Sequence, residues 1–145
     1  MPAKSRVLIV DDEEVIANTL AMILNRAGFE ACAVYSGESA LETAPAFEPD
    51  VLISDIIMPG ITGIETAIQL RTRFPACRVL LFSGQATSNI LEKTRAKGYE
   101  FEVLTKPVHP SDLLACLRAA VPATGLDQPR LAAPASEDAL SSDWS

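Results

Sequence analysis

The chain is poor in most of the residues that mark secreted, membrane-bound or histidine-metal proteins. It has one histidine, His109, so a histidine-rich metal centre has no ligands. That residue is expected on a solvated loop just before the last helix. The three cysteines, Cys32, Cys77 and Cys116, are odd in number and dispersed. They offer neither a disulfide framework nor metal-ligand spacing, and are expected as small apolar residues in a reducing cytoplasm. Long apolar runs are missing, and nothing approaches the roughly 20 residues that span a bilayer. Val7–Val10 is too short for a signal-peptide core and runs into acid, which argues against secretion. Positive charge is scarce: 12 basic against 19 acidic residues give a net charge of −7 and a pI near 4.6. Such a balance disfavours direct nucleic-acid binding, which depends on basic contacts. No glycine-rich phosphate loop is present, which removes nucleotide hydrolases of that kind.

What the chain does have is enough apolar residue, 48%, to fill a core. Two periods alternate along it. Arg6–Val10 is apolar without polar alternation, as in a strand buried on both faces. Over Glu13–Ala27 the residues Val15, Ile16, Leu20, Ile23 and Leu24 recur at helical spacing, and Gly28 sits at the expected C-cap. Phe29–Val34 reads as a second strand. Ser36 can cap a helix carrying Ala40, Leu41 and Ala44 that ends near Pro45 to Pro49. Val51–Asp55 is a third strand, expected to continue through Ile56, Ile57 and Met58 until Pro59-Gly60 breaks it. A helical stripe follows over Ile64–Phe74. Arg78–Phe82 is a fourth strand, Thr87–Lys97 a weaker helix, Phe101–Thr105 a fifth strand. Pro110 opens a last helix with Leu113, Leu114, Leu117 and Val121.

Five strands alternating with five helices predict an α/β domain with a parallel sheet, over residues 4–122. An open, doubly wound sheet is favoured, because an eight-stranded barrel needs far more residues. Residues 123–145 are rich in Ala, Pro and Ser. With Asp127, Glu137, Asp138 and Asp143 against Arg130 they carry a net −3 and read as a flexible tail. Trp144 is expected to be exposed there.

The informative polar residues interrupt strands. Asp11-Asp12 follow the first, Asp55 ends the third, Ser83 ends the fourth and Lys106 follows the fifth. In a parallel sheet those ends share one edge, where α/β proteins bind ligands. Any one of these residues alone is readily a cap or a turn; together on one edge they are hard to explain structurally. Three clustered carboxylates repel, and a hard divalent cation resolves the repulsion. Mg²⁺ suits a few carboxylates plus waters and phosphate oxygens. One aspartate could then attack a phosphoryl donor to give an acyl phosphate, with Lys106 and Ser83 binding the phosphoryl oxygens.

Val-Leu-Ile-Val-Asp11-Asp12-Glu-Glu, Asp55-Ile-Ile-Met-Pro-Gly, Phe-Ser83-Gly84 and Lys106-Pro107 resemble, in order and spacing, bacterial response-regulator receiver domains of two-component systems. The resemblance covers residues 4–122 and implies a flavodoxin-like sheet of order 2-1-3-4-5. It implies Asp55 as phosphoacceptor, loaded from a sensor histidine kinase or a phosphotransfer protein. Asp12 would ligate Mg²⁺ directly, Asp11 largely through water, and Ile57 through its backbone carbonyl. Ser83, beside Gly84, would bond the phosphoryl group and move towards it, Lys106 would pair with it, and the Lys106–Pro107 bond would be cis. Ile57 and Gln85 flank the site at positions that tune phosphate lifetime in the family.

One departure stands out. The family commonly carries Phe or Tyr three residues before the lysine, where this chain has Val103. Phe101 lies on the same face but nearer the strand's start. The aromatic relay therefore lacks its ring, whereas coupling through Ser83 does not require it.

The resulting expectation is a phosphorylation-controlled switch, cytoplasmic, with no membrane or direct nucleic-acid contact. Its output would be protein–protein contact through the helix 4–strand 5–helix 5 face, where Lys93, Arg95, Lys97 and Arg118 lie. With no second domain expected to follow, DNA binding would belong to a partner, and phosphorylation could drive homodimerisation. The alternative is a constitutive receiver-fold binding module not controlled by phosphate, which lack of phosphate on Asp55 would reveal. A third reading, an aspartyl phosphohydrolase, wants a second acid two residues after the nucleophile. Ile57 stands there, so the chain is expected not to be an enzyme beyond handling its own acyl phosphate. A flavodoxin would need hydroxyls after the first strand, where this chain has acids.

Overall fold

The computed structural model describes residues 4–84, 88–99 and 101–120. The elements are β1 (Arg6–Val10), α1 (Glu14–Arg26), β2 (Glu30–Val34), α2 (Gly37–Phe47), β3 (Val51–Asp55), α3 (Gly63–Arg73), β4 (Arg78–Ser83), α4 (Ser88–Ala96), β5 (Glu102–Thr105) and α5 (Pro110–Ala120). All strand pairs are parallel and the order is β2-β1-β3-β4-β5, the doubly wound arrangement expected. The chain divides into two units, one through Pro110 and one from Ser111. The described part of the second is helical, with Leu113 and Leu117 buried on one face. The proposed tail, Gln85 and Trp144 lie outside the described residues.

Strand burial explains the lack of polar alternation. Leu8, Val10, Leu52, Val79 and Leu81 join one core cluster with Ala40, Ala44, Ile64, Ala67 and Leu70 from α2 and α3. The alternate residues Val7, Ile9, Val51, Ile53 and Leu80 are equally buried outside that cluster, so β1, β3 and β4 are covered on both faces. The α1 helix packs on β1 and β2 and buries Ala17, Leu20 and Leu24. Cys77 belongs to the first cluster, and burial pushes its thiol up to about 12. None of the three cysteines forms a disulfide.

Local chemistry sets the element ends. Helix α1 closes with paired bonds from Phe29 N–H to Leu24 O (3.0 Å) and Gly28 N–H to Asn25 O (3.3 Å), so Gly28 stands one residue beyond the Ala27 cap. Ser36 Oγ accepts from Ser39 N–H at 3.0 Å and starts α2.

Helix α2 ends at Phe47, inside the expected Pro45 to Pro49 window, and includes Pro45 in its last turn. In the last turn the proline removes one backbone donor, and Glu48, at φ +54°, closes the helix by donating to Ala44 O at 2.7 Å. Strand β3 stops at Asp55 rather than continuing to Met58. Ile56 N–H still reaches Phe82 O at 3.2 Å, but its carbonyl accepts from Gly63 N–H at 2.9 Å, which turns the chain towards α3. Ile57 is thereby left half exposed.

Candidate metal centre at the carboxyl edge of the sheet

Register brings the acids together. Val10 pairs with Ser54, so Asp11 lies one step beyond the level of Ser54, beside Asp55. Asp55 pairs with Phe82, and Ser83 with Thr105, which puts Ser83 and Lys106 further along the same edge. One carboxylate oxygen each from Asp11, Asp12 and Asp55 lie within 4.8 Å of one another. The Lys106 ammonium donates to Asp55 Oδ2 at 2.6 Å, and Lys106 N–H donates to Ser83 O at 2.9 Å, tying β5 to β4 beside the acids. Ser83 is buried, Gly84 is exposed, and the Lys106–Pro107 bond is cis.

Local contacts hold Asp11 and Asp55 in place. Asp11 is buried; its N–H donates to Val34 O at 3.2 Å and its Oδ1 accepts from Glu13 N–H at 2.9 Å. The Glu13 side chain makes no cap, so Asp11 serves an orphan donor at the start of α1. Ser54, fully buried, donates its hydroxyl to Asp55 O at 2.9 Å. A Cβ built on Gly63 would stand 2.0 Å from that same carbonyl, so only glycine lets α3 begin against Asp55. Sequence reasoning did not single out Ser54 or Gly63. A hydroxyl inside an apolar strand was the available signal for Ser54; Gly63 gave none.

Charge balance follows from this crowding. Burial raises the Asp11 carboxyl above its ordinary value. The Glu13 N–H bond and the Lys106 charge oppose that shift, and the Asp55 and Asp12 charges add to it. Burial works to lower Lys106, but the hydrogen bond and charge of Asp55, with Asp11 and Glu13 behind it, hold the ammonium above its ordinary value. Three acids against one lysine leave excess negative charge. A set of hard oxygen donors with an unrelieved negative charge fits Mg²⁺.

Val103 packs on the core cluster at the fifth strand's middle, as does Phe101 at its approach. The Phe101 ring stacks on Tyr99 (6.4 Å between centroids, 7° between planes) and carries the Arg71 guanidinium 5.9 Å above it. Phe101, just before β5, is thus engaged by Arg71 of α3. His109 is exposed, outside the acidic cluster.

Fold and edge together define a doubly wound α/β protein with an acid-and-lysine site at its switch point. The chain belongs to the response regulator receiver domain family, whose model matches residues 7–118. Among curated relatives, the Bacillus subtilis alkaline phosphatase synthesis transcriptional regulatory protein PhoP is 32% identical over 91% of this chain and 52% of its own. Sensory transduction protein RegX3 of Mycolicibacterium smegmatis is 34% identical over 78% of this chain and 49% of its own. The chain therefore spans about half the length of these relatives. Among solved structures, the Vibrio cholerae chemotaxis protein CheY4 superposes with TM-score 0.73 at 30% identity, covering 82% of this chain and all of that one. Receiver domains are signalling modules of two-component systems rather than enzymes in the usual sense. Among the described residues no helix is long and apolar enough to cross a membrane.

Proposed function

We propose that Asp55 is the phosphoacceptor of a cytoplasmic two-component switch, loaded from a sensor histidine kinase or a phosphotransfer protein with Mg²⁺. The observation carrying this reading is the convergence of Asp11, Asp12 and Asp55 within 4.8 Å, with the Lys106 ammonium 2.6 Å from Asp55. An Asp55 carboxylate oxygen attacks phosphorus; the O–P bond of an acyl phosphate forms and the P–N bond of the donor phosphohistidine breaks. The leaving imidazole takes up a proton. Asp11, Asp12, Asp55 and the Ile57 carbonyl would hold the Mg²⁺, which supplies positive charge against the phosphoryl oxygens. Lys106 exchanges its bond to Asp55 for one to a phosphoryl oxygen. Ser83 and the Gly84 backbone bond another.

Output is protein–protein contact, and α4 offers Lys93 and Arg95, with Lys97 one residue beyond its end, all exposed. Both curated relatives above are regulatory or signalling proteins by name, and one is named a transcriptional regulator. For the residues of this chain, at net charge −7, we assign no direct contact with nucleic acid. Homodimerisation on phosphorylation is one form the output can take.

The test is intact mass after incubation with a small phosphodonor and Mg²⁺. A single Mg²⁺-dependent phosphoryl adduct, absent from Asp55→Asn, is expected. No adduct from either the small donor or a phosphorylated kinase would leave the constitutive binding module, which Val103 favours by removing the family's usual ring.

A further inference from the structure

The corner between β2 and α2 touches both segments that carry the acids. The last carbonyl of β2, on Val34, accepts the Asp11 N–H at 3.2 Å. Four residues on, Glu38 in the first turn of α2 accepts from Ile61 N–H through Oε2 at 3.3 Å, across 23 residues. A Cβ built on Gly60 would stand 2.7 Å from that same oxygen, so the carboxylate lies along the loop backbone. A Cβ on Gly37 would stand 2.2 Å from Thr66 Oγ1 and 2.5 Å from Ile61 Cγ1, so the helix start is pressed onto the loop and α3.

The loop after Asp55 needs such a tie. Ile56 and Met58 are buried and fix its depth, with Ile57 half exposed between them. Apolar burial is non-directional and does not set the rotation of the intervening peptide. Among the described residues, no other hydrogen bond reaches 57–61 from another element.

We propose that Glu38 is a positioning residue for the metal centre: by holding the loop backbone at Ile61 it sets where the Ile57 carbonyl points. This rests on the Mg²⁺ reading of the site. Glu38 touches neither metal nor phosphate. Hydrogen-bond partners one step behind metal ligands typically change affinity by about tenfold or more. Glu38 is exposed and acts through four residues of chain, so a smaller effect follows, about three- to tenfold.

The experiment combines Mg²⁺ titration calorimetry with hydrogen exchange of the metal-free full chain. In Glu38→Ala the Ile61 amide exchanges faster and Mg²⁺ affinity falls about three- to tenfold, with little change in thermal midpoint. In Glu38→Gln the side-chain oxygen still accepts from Ile61, and both readouts return towards wild type. Wild-type affinity in Glu38→Ala, or unchanged Ile61 exchange, overturns the proposal. A Glu38→Gln variant as weak as Glu38→Ala also overturns it, assigning the effect to charge. Asp12→Asn separates the premise: Mg²⁺ affinity left unchanged by this substitution refutes the metal reading itself, whatever Glu38 does.

Discussion

Lys106 Nζ stands 2.6 Å from Asp55 Oδ2, two charges 51 residues apart in sequence that meet because β3 and β5 flank β4. The pair is asymmetric, with the lysine side chain 39% exposed and the aspartate 12%. Water screens much of its attraction, so its value to stability is small. Its value to the site is that the one cation competes with any metal for the same carboxylate.

Lys106→Ala should therefore separate three properties. Stability in denaturant should fall by less than about 1 kcal/mol, as for other partly exposed pairs. Mg²⁺ affinity should rise about threefold or more, since a like charge has left the site. The rate of phosphorylation by a small donor should drop at least about tenfold, because a group that neutralises the transferring charge is gone. Weaker Mg²⁺ binding in this variant would show that the lysine organises the acids instead of competing for them.

Asp11 supplies the pH dependence. Its carboxyl is raised in the folded chain, chiefly by burial, so without metal the protonated form costs the fold less than the charged one. The stability it contributes is fully present below the unfolded carboxyl value and is lost as pH rises through the folded one. Asp11→Asn removes that loss and keeps an oxygen for the Glu13 N–H. In chelator at neutral pH its thermal midpoint should exceed wild type by about 2–4 °C, and the gap should close in acid. Mg²⁺ binding should weaken in the same protein. A variant less stable at neutral pH and equally so in acid would mean that the bond to Glu13 matters more than the buried charge.

How much of this was legible in the sequence depends on the range of the interaction. Asp11, Asp12, Asp55, Ser83 and Lys106 could be read because each ends an apolar strand, and a parallel sheet gathers such ends without further information. The family resemblance supplied the strand order. Interactions made by loops were opaque. Glu38 reads as an acid favouring a helix N-terminus, and nothing local marks its partner Ile61. The run Ile56-Ile57-Met58 looks like more strand because burial of Ile56 and Met58 gives the same apolar pattern. Pro45 and Pro49 bracket the end of α2 at Phe47, and a proline in the last turn forfeits a single bond. Arg71 above Phe101 joins α3 to the start of β5, a distance no periodicity spans.

Glu48 holds a left-handed backbone, φ +54° and ψ +67°, to close α2. A residue with a Cβ is strained there and glycine is not. Glu48→Gly should raise unfolding free energy by about 0.5–1 kcal/mol, with glycine's extra entropy in the unfolded chain setting the lower figure. Urea unfolding with an unchanged slope is the appropriate measurement. A destabilised variant would point to a favourable role of the Glu48 carboxylate large enough to offset the strain.

Gly63 links stability to the site more directly than any other small residue. Its virtual Cβ meets Asp55 O at 2.0 Å and Ser54 Oγ at 2.8 Å, and the first of these is backbone that cannot rotate away. In Gly63→Ala either α3 retreats or the end of β3 shifts. Retreat loosens Ile64, Ala67 and Leu70, all buried in the cluster shared with β1, β3 and β4. Overpacking of this kind costs about 2–3 kcal/mol. A shift of β3 would move Asp55 relative to Lys106 and lengthen the 2.6 Å contact. The two responses differ in what they spare: helix retreat lowers stability and leaves Mg²⁺ binding near wild type, whereas strand displacement lowers both. Ser54 donates to the same carbonyl, and the ladder pairs Ser54 with Val10 and Asp55 with Phe82, which hold the end of β3, so helix retreat is the expected response. A destabilisation of at least about 2 kcal/mol with Mg²⁺ affinity within about threefold of wild type would establish it. Loss of stability together with loss of metal binding would instead show that the Asp55 end of β3 is the softer element.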